Sequence, residues 1–173
     1  MIDIKLSLKI IFKRRAELLY FFIITLLTST PVHAAKQLDI RSYEAADPCS
    51  VDTAQIRVTV NGIGSEGMLS VELYHDPDNF LNKKGRKRRI RIPAMEKQHT
   101  VCFSIEQQGT YAVAAYHDVD GNRRLNKRWN MMPKEPFGLS NNPQQRFGFP
   151  KFSEAAFTTD ALGANIIINL QKP

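Results

Sequence analysis

The sequence predicts an all-β fold: an antiparallel β-sandwich of immunoglobulin or transthyretin-like type, six to seven strands, with a long irregular loop before the last strands. Three observations carry this reading. Short runs alternate apolar and polar residues with the two-residue period of half-buried strands. Turns rich in Gly, Asn, Asp and Pro separate them. Beyond the N-terminal segment no run shows a helical period, and short strands punctuated by turns argue for two packed sheets.

In chain order, residues 1–15, MIDIKLSLKIIFKRR, are basic, residues 18–27 form an uncharged apolar stretch, and Val32-His33-Ala34 ends in small residues. Those are the three parts of a secretory signal peptide. Ten apolar residues are too few for a span, which needs about 20, and Pro31 and His33 close the run. Residues 1–34 are therefore expected to be removed, leaving an exported protein, periplasmic or secreted, that is not an integral membrane protein. No cysteine stands directly after the cleavage point, which argues against a lipid anchor. The remaining 139 residues suit one domain with one core. Residues 35–53 read as an extended lead-in and residues 54–173 as the sandwich domain.

Residues 56–60, IRVTV, alternate as a strand, and NGIGSEG turns the chain. MLSVELYH places Leu69, Val71 and Leu73 on one face, and DPDN ends it. RIRIP reads as a short edge strand stopped by Pro93. TVCFSIE directs Val101, Phe103 and Ile105 inward and Cys102 to the opposite face. YAVAAYH is apolar on both faces, as a central strand should be. Residues 118–152 hold Pro133, Pro136, Pro143 and Pro150 and form the irregular excursion. A loop this long usually has a function or packs on itself, and Trp129, Phe137, Phe147 and Phe149 suggest packing. FSEAAFTT reads as a further strand and IIINL as the closing one.

Cys49 and Cys102 are an even count in a chain expected to be exported, which favours a disulfide over two free thiols. The bridge would close a loop of about 54 residues.

The charge is local. After loss of the signal the chain has 19 basic and 15 acidic residues. Seven of the basic ones lie in KKGRKRRIR: Lys83, Lys84, Arg86, Lys87, Arg88, Arg89 and Arg91. Without them the balance is negative. The run reads either as a solvated hairpin tip that contributes little to folding or as an anion-binding surface sensitive to salt. In an envelope compartment the matching partners are anionic envelope polymers such as lipopolysaccharide and acidic polysaccharide, or lipid head groups. A dedicated nucleic-acid partner is not implied.

A second motif is HDVDGNRRLN, residues 117–126. Asp118, Asp120 and Asn122 sit at alternate positions, as oxygen ligands do in a calcium loop. The sixth position is Arg123 rather than glycine, the twelfth is Trp129 rather than glutamate, and Arg124, Lys127 and Arg128 oppose a cation. The other reading is an Asx turn, in which Asp and Asn bond their own backbone. Tyr-His-Asp also occurs twice, with His75 and His117 each at a strand end before an acidic turn. If those ends met at one pole, two imidazoles and several carboxylates would suit a transition metal.

GTYAVAAYHDVDGNRRLN, MPKEPFGLSNN and FGFPKFSEAAF together resemble the exported bacterial proteins grouped as domain of unknown function 2141, over about residues 54–170. The resemblance implies a small sandwich of immunoglobulin or transthyretin type and no established activity. In that family the aspartate loop reads close to HDENGNGKLD. Arg123 replaces a glycine of that pattern and Asn126 an aspartate, and the run KKGRKRR is not a usual feature of it.

Signatures of enzymes are lacking: there is no G-x-S-x-G, phosphate loop or H-E-x-x-H. Glu135 suits either a general acid or a bond to loop amides. Trp129, Met131 and Met132 suit a soft-metal or sugar-stacking surface, or packing under the loop. The expectation is a non-enzymatic binding or scaffolding module of the cell envelope without a cofactor. The alternative is a metal-binding module, calcium or transition metal, that uses the His75 and His117 strand ends and is open to enzymatic chemistry.

Overall fold

The computed structural model describes residues 38–144 and 150–173. The expected signal peptide, and Phe147 and Phe149, lie outside the described residues. No helix among the described residues is long and apolar enough to cross a membrane.

Two sheets face each other. The first has the order β4-β1-β8, with β1 Gln55–Asn61, β4 Gln98–Ser104 and β8 Gly163–Asn169. The second has the order β3-β2-β5-β6, with β2 Met68–Tyr74, β3 Arg86–Pro93, β5 Thr110–Asp118 and β6 Phe137–Leu139. The short β7, Phe157–Thr158, pairs with the start of β5. The alternating runs are strands as expected. Ile56, Val58 and Val60 meet Leu69, Val71 and Leu73 across the sandwich, with Phe103, Val113 and Ile168 in the same cluster.

The fold differs from the sequence reading at several places, one of them β6, which lies inside the excursion expected to be irregular. First, β8 runs parallel to β1, Gln55 pairing with Gly163 and Asn61 with Asn169. The parallel start requires a close approach: a Cβ on Gly163 would lie 1.8 Å from the Gln55 carbonyl oxygen, at φ +106°. Only glycine fits that approach and that backbone angle. Second, FSEAAFTT is not one strand. It opens with one helical turn, α1 Phe152–Ala155, before β7. Glu154 reaches back to accept from the Lys151 amide at 2.8 Å, satisfying a donor that a helix start leaves open. Phe152 and Ala155 share a face there and pack with Tyr74, Ala112, Ala114 and Leu139. Third, β2 is buried along its full length. That second cluster covers the outer face of its sheet, so Tyr74 is as buried as Leu73. Fourth, Trp129 does not pack under the long loop; it is 97% exposed.

The lead-in is not simply extended. After a 3-10 turn, Ser42–Glu44, it pairs through Asp47 with Cys102 and is joined to β4 by the Cys49–Cys102 disulfide. β3 and β4 are edge strands of the two different sheets. Asp47 accepts from the Ser104 amide at 2.7 Å and pairs with Arg88 of β3. The lead-in is thus a strap across the side of the sandwich where these edges meet.

Candidate functional site

Only Lys83 and Lys84 of the basic run lie in the turn between β2 and β3. Arg86 to Arg91 are the body of edge strand β3, and a register shift opposite Leu73 and Tyr74 leaves Lys87 unpaired and exposed. A bulge and a lysine on an edge strand block further strand addition. Ile90 and Ile92 face the core, so Arg89 and Arg91 face the opposite way.

Each arginine of the strand has an acidic partner. Arg86 and Arg89 donate to one oxygen of Glu72, at 3.0 and 2.7 Å, while Tyr74 donates its hydroxyl to the other at 2.5 Å. Burial pushes the Tyr74 hydroxyl up, and the Glu72 charge adds to this. Arg88 forks onto Asp47. Arg91, fully buried, bonds Glu44, the Ser70 hydroxyl at 3.1 Å and the Arg123 carbonyl at 2.9 Å. The four arginines are thus tied into the fold, against the expectation of a run that contributes little to folding, while Lys83, Lys84 and Lys87 are exposed.

What the fold adds are cations distant in sequence. Arg41 and Tyr43 of the strap, and Arg123 and Arg124 of the aspartate loop, line one open groove with Lys83, Arg86, Lys87, Arg88, Arg89 and Arg91. Its volume is about 610 Å³. Nine cations line it, and four carboxylates, Asp39, Glu44, Asp47 and Glu72, pair with them. The local excess is five positive charges. Sequence reading found six of the nine cations. Arg41 stands apart in the sequence, and Arg123 and Arg124 were read only as members of the aspartate loop, so their place in the groove was not legible.

Burial pushes the Glu44 carboxyl up, but the Arg41 amide and the Arg91 and Arg123 guanidiniums outweigh it and hold it below the usual carboxylate range. The Arg88 hydrogen bond holds Asp47 low as well, against its burial. A carboxyl lowered in the fold contributes stability above its ordinary range, and that contribution is lost as pH falls through the depressed value. Asp47→Asn is therefore expected to be less stable than the parent at pH 6. The two should converge as pH drops toward the acid transition, read from urea midpoints at each pH.

The aspartate loop forms a polar knot beside the groove. Asp118 accepts from the amides of Asn122 and Arg123 at 3.0 and 2.7 Å. Asp120 accepts from the Asn122 amide at 3.1 Å, and the Asn122 side-chain Oδ1 accepts from the Arg124 amide at 2.9 Å. These are the bonds of Asx turns. Glu135 takes the amides of Val119 and Asn126 at 3.0 and 2.8 Å, the second of its two sequence readings. Burial raises the carboxyls of both Asp118 and Glu135, and their amide donors oppose this. One oxygen each of Asp118, Asp120 and Glu135 lies within 4.8 Å of the others. Arg123 sits at φ 70°, a backbone region that favours glycine. Its partners hold it there: its amide bonds Asp118 and its guanidinium bonds Glu44 at 3.0 Å.

The two imidazoles do not converge. β2 and β5 are antiparallel, with Leu69 opposite His117 and Tyr74 opposite Ala112. His75 bonds the Thr110 carbonyl at 2.8 Å and its ring lies 5.0 Å from that of Tyr111. Thr110 and His117 are opposite ends of one strand, about 23 Å apart at a strand's rise per residue. His117 is buried; Nε2 meets the Glu66 carbonyl at 2.5 Å, and Nδ1 accepts from the Gly64 amide at 3.4 Å. A Cβ on Gly64 would lie 2.7 Å from that ring. The repeated Tyr-His-Asp marks two unrelated sheet ends.

Comparison with curated proteins and with solved structures finds no match. The pattern of a bacterial family does match, over residues 58–166, from within β1 to within β8. That stretch spans β2, the basic edge strand, the aspartate knot and the long loop. The chain belongs to the family of uncharacterized proteins conserved in bacteria, domain of unknown function 2141.

Proposed function

We propose that the protein is an exported, non-enzymatic β-sandwich module that binds anionic material of the bacterial cell envelope through the basic groove. The observation that carries this is the convergence of cations from three chain segments on one groove, eight of them at least partly exposed and Arg91 buried beneath. Partly desolvated guanidinium forks are suited to phosphate, sulfate and carboxylate groups. The disulfide is compatible with an oxidising compartment.

The test separates binding cations from folding cations. Lys83, Lys87 and Arg124 line the groove, are exposed and make no ion pair among the described residues. Replacing all three with serine is expected to change stability by less than about 1 kcal/mol. Retention on heparin at low salt should be lost, and wild-type retention should fall steeply as salt rises. Co-elution of variant and parent would sink the reading.

The runner-up is a metal-binding module. Its support is the approach of Asp118, Asp120 and Glu135. Against it, the bonds to loop amides already occupy these carboxylates, and the imidazoles stand apart. Metal analysis of freshly purified protein discriminates: an equimolar calcium or transition metal would favour it over the groove.

A further inference from the structure

Residues 127–134, KRWNMMPK, form a small hairpin that projects from the aspartate knot. Lys127 and Pro133 pair as a bridge. The Arg128 amide donates to Met132 O at 2.7 Å, Met131 to Arg128 O at 3.0 Å, and Lys134 to Asn126 O at 2.7 Å. Buried Glu135 anchors its base by accepting from the Asn126 amide at 2.8 Å. The tip is a closed turn, held firmly enough to keep Met131 at φ 66°.

This turn holds apolar side chains out in water. Trp129 is 97% exposed, Met131 52% and Met132 40%. Scattered apolar residues on a surface need no explanation, but three exposed apolar side chains within four positions of one turn call for a partner. The eight residues include Lys127, Arg128 and Lys134, all exposed, and no carboxylate. Exposed Arg124, a groove residue, lies three positions before the hairpin.

We propose that this hairpin is a membrane-docking tip: Trp129, Met131 and Met132 enter the interface of an anionic bilayer while the flanking cations hold its head groups. The proposal rests on the groove reading and names the bilayer surface as the source of its anions. Trp is the side chain best matched to the head-group level, and cations beside an apolar tip add attraction to acidic lipid. A neutral sugar would leave the flanking cations without a counter-charge, whereas an acidic bilayer matches both the cations and the apolar side chains. A protein partner gains nothing from a tip with charge of one sign only unless it is itself acidic.

Trp129 is the only tryptophan in the chain, so its fluorescence reports the tip alone. Mixed phosphatidylglycerol and phosphatidylcholine vesicles are expected to shift its emission to the blue and to co-sediment the protein. Lipids brominated near the top of the acyl chain should quench it. Trp129→Ser should weaken vesicle partitioning roughly tenfold, while Trp129→Phe should retain most of it and neither should move the melting temperature. Heparin retention should be unchanged in both. Co-sedimentation with unshifted emission would leave the groove reading standing and overturn the tip. A blue shift with heparin alone would overturn it too, since a soluble polyanion would then cover the ring. If neither heparin nor acidic vesicles bind, the groove reading fails and the tip falls with it.

Discussion

Arg91→Ala is expected to cost about 3–5 kcal/mol of folding free energy, as breaking a buried ion pair does when one partner is removed. Arg91 is fully buried and joins three segments: Glu44 of the strap, Ser70 of β2 and the Arg123 carbonyl of the aspartate loop. Alanine leaves Glu44 buried with Arg123 as its remaining guanidinium and leaves a void where a long side chain stood. For a domain of this size each kcal/mol is worth about 2–4 °C or somewhat more, so the melting temperature should fall by roughly 10 °C. Urea titration at pH 7 measures it directly. The double replacement Glu44→Leu with Arg91→Met removes both charges of the pair and should recover a large part of the loss. A loss below about 1 kcal/mol for Arg91→Ala would mean that the strap does not close over this arginine.

Replacing Cys49 and Cys102 with serine is expected to cost about 4 kcal/mol by loop-closure entropy. The bridge spans 53 positions and ties the strap to an edge strand whose one neighbour in its sheet is β1. Cys102 is fully buried, so its serine would also bring a hydroxyl into the interior. The strap carries Glu44 and Asp47, the partners of Arg91, Arg123 and Arg88. Loosening it should therefore weaken those pairs together, and adding Arg91→Ala to the cysteine replacement should cost less than the sum of the two. Thiol labelling of unfolded, unreduced protein should find no free thiol. Two labels per chain without reductant would overturn the bridge, and strict additivity would overturn its coupling to the arginine pairs.

The strands were legible because alternation is a local property. Ile56, Val58 and Val60, or Leu69, Val71 and Leu73, can reach a common core only if their run is extended. The same locality explains where the reading stopped. In FSEAAFTT, Phe152 and Ala155 are spaced for a single helical turn, but four residues are too few for a helical period to stand out. Burial of Ser70, Glu72 and Tyr74 depends on loops and a helical turn contributed by distant parts of the chain.

The sequence by itself determined the strand-rich class, a core face for each long strand, the even pair of cysteines and the concentration of charge between residues 83 and 91. Tertiary structure alone decided what those charges do. An arginine run reads as a solvated loop until Glu44, Asp47 and Glu72, 14 to 47 positions away, are folded against it. Strand order likewise decided that His75 and His117 stand at opposite ends of a sheet, that β8 runs parallel to β1, and that Arg41 and Arg124 join one groove. Hydrophobic alternation is written residue by residue along the chain. Charge pairing is a relation between segments that only packing brings within a few ångströms, and until then each cation looks free.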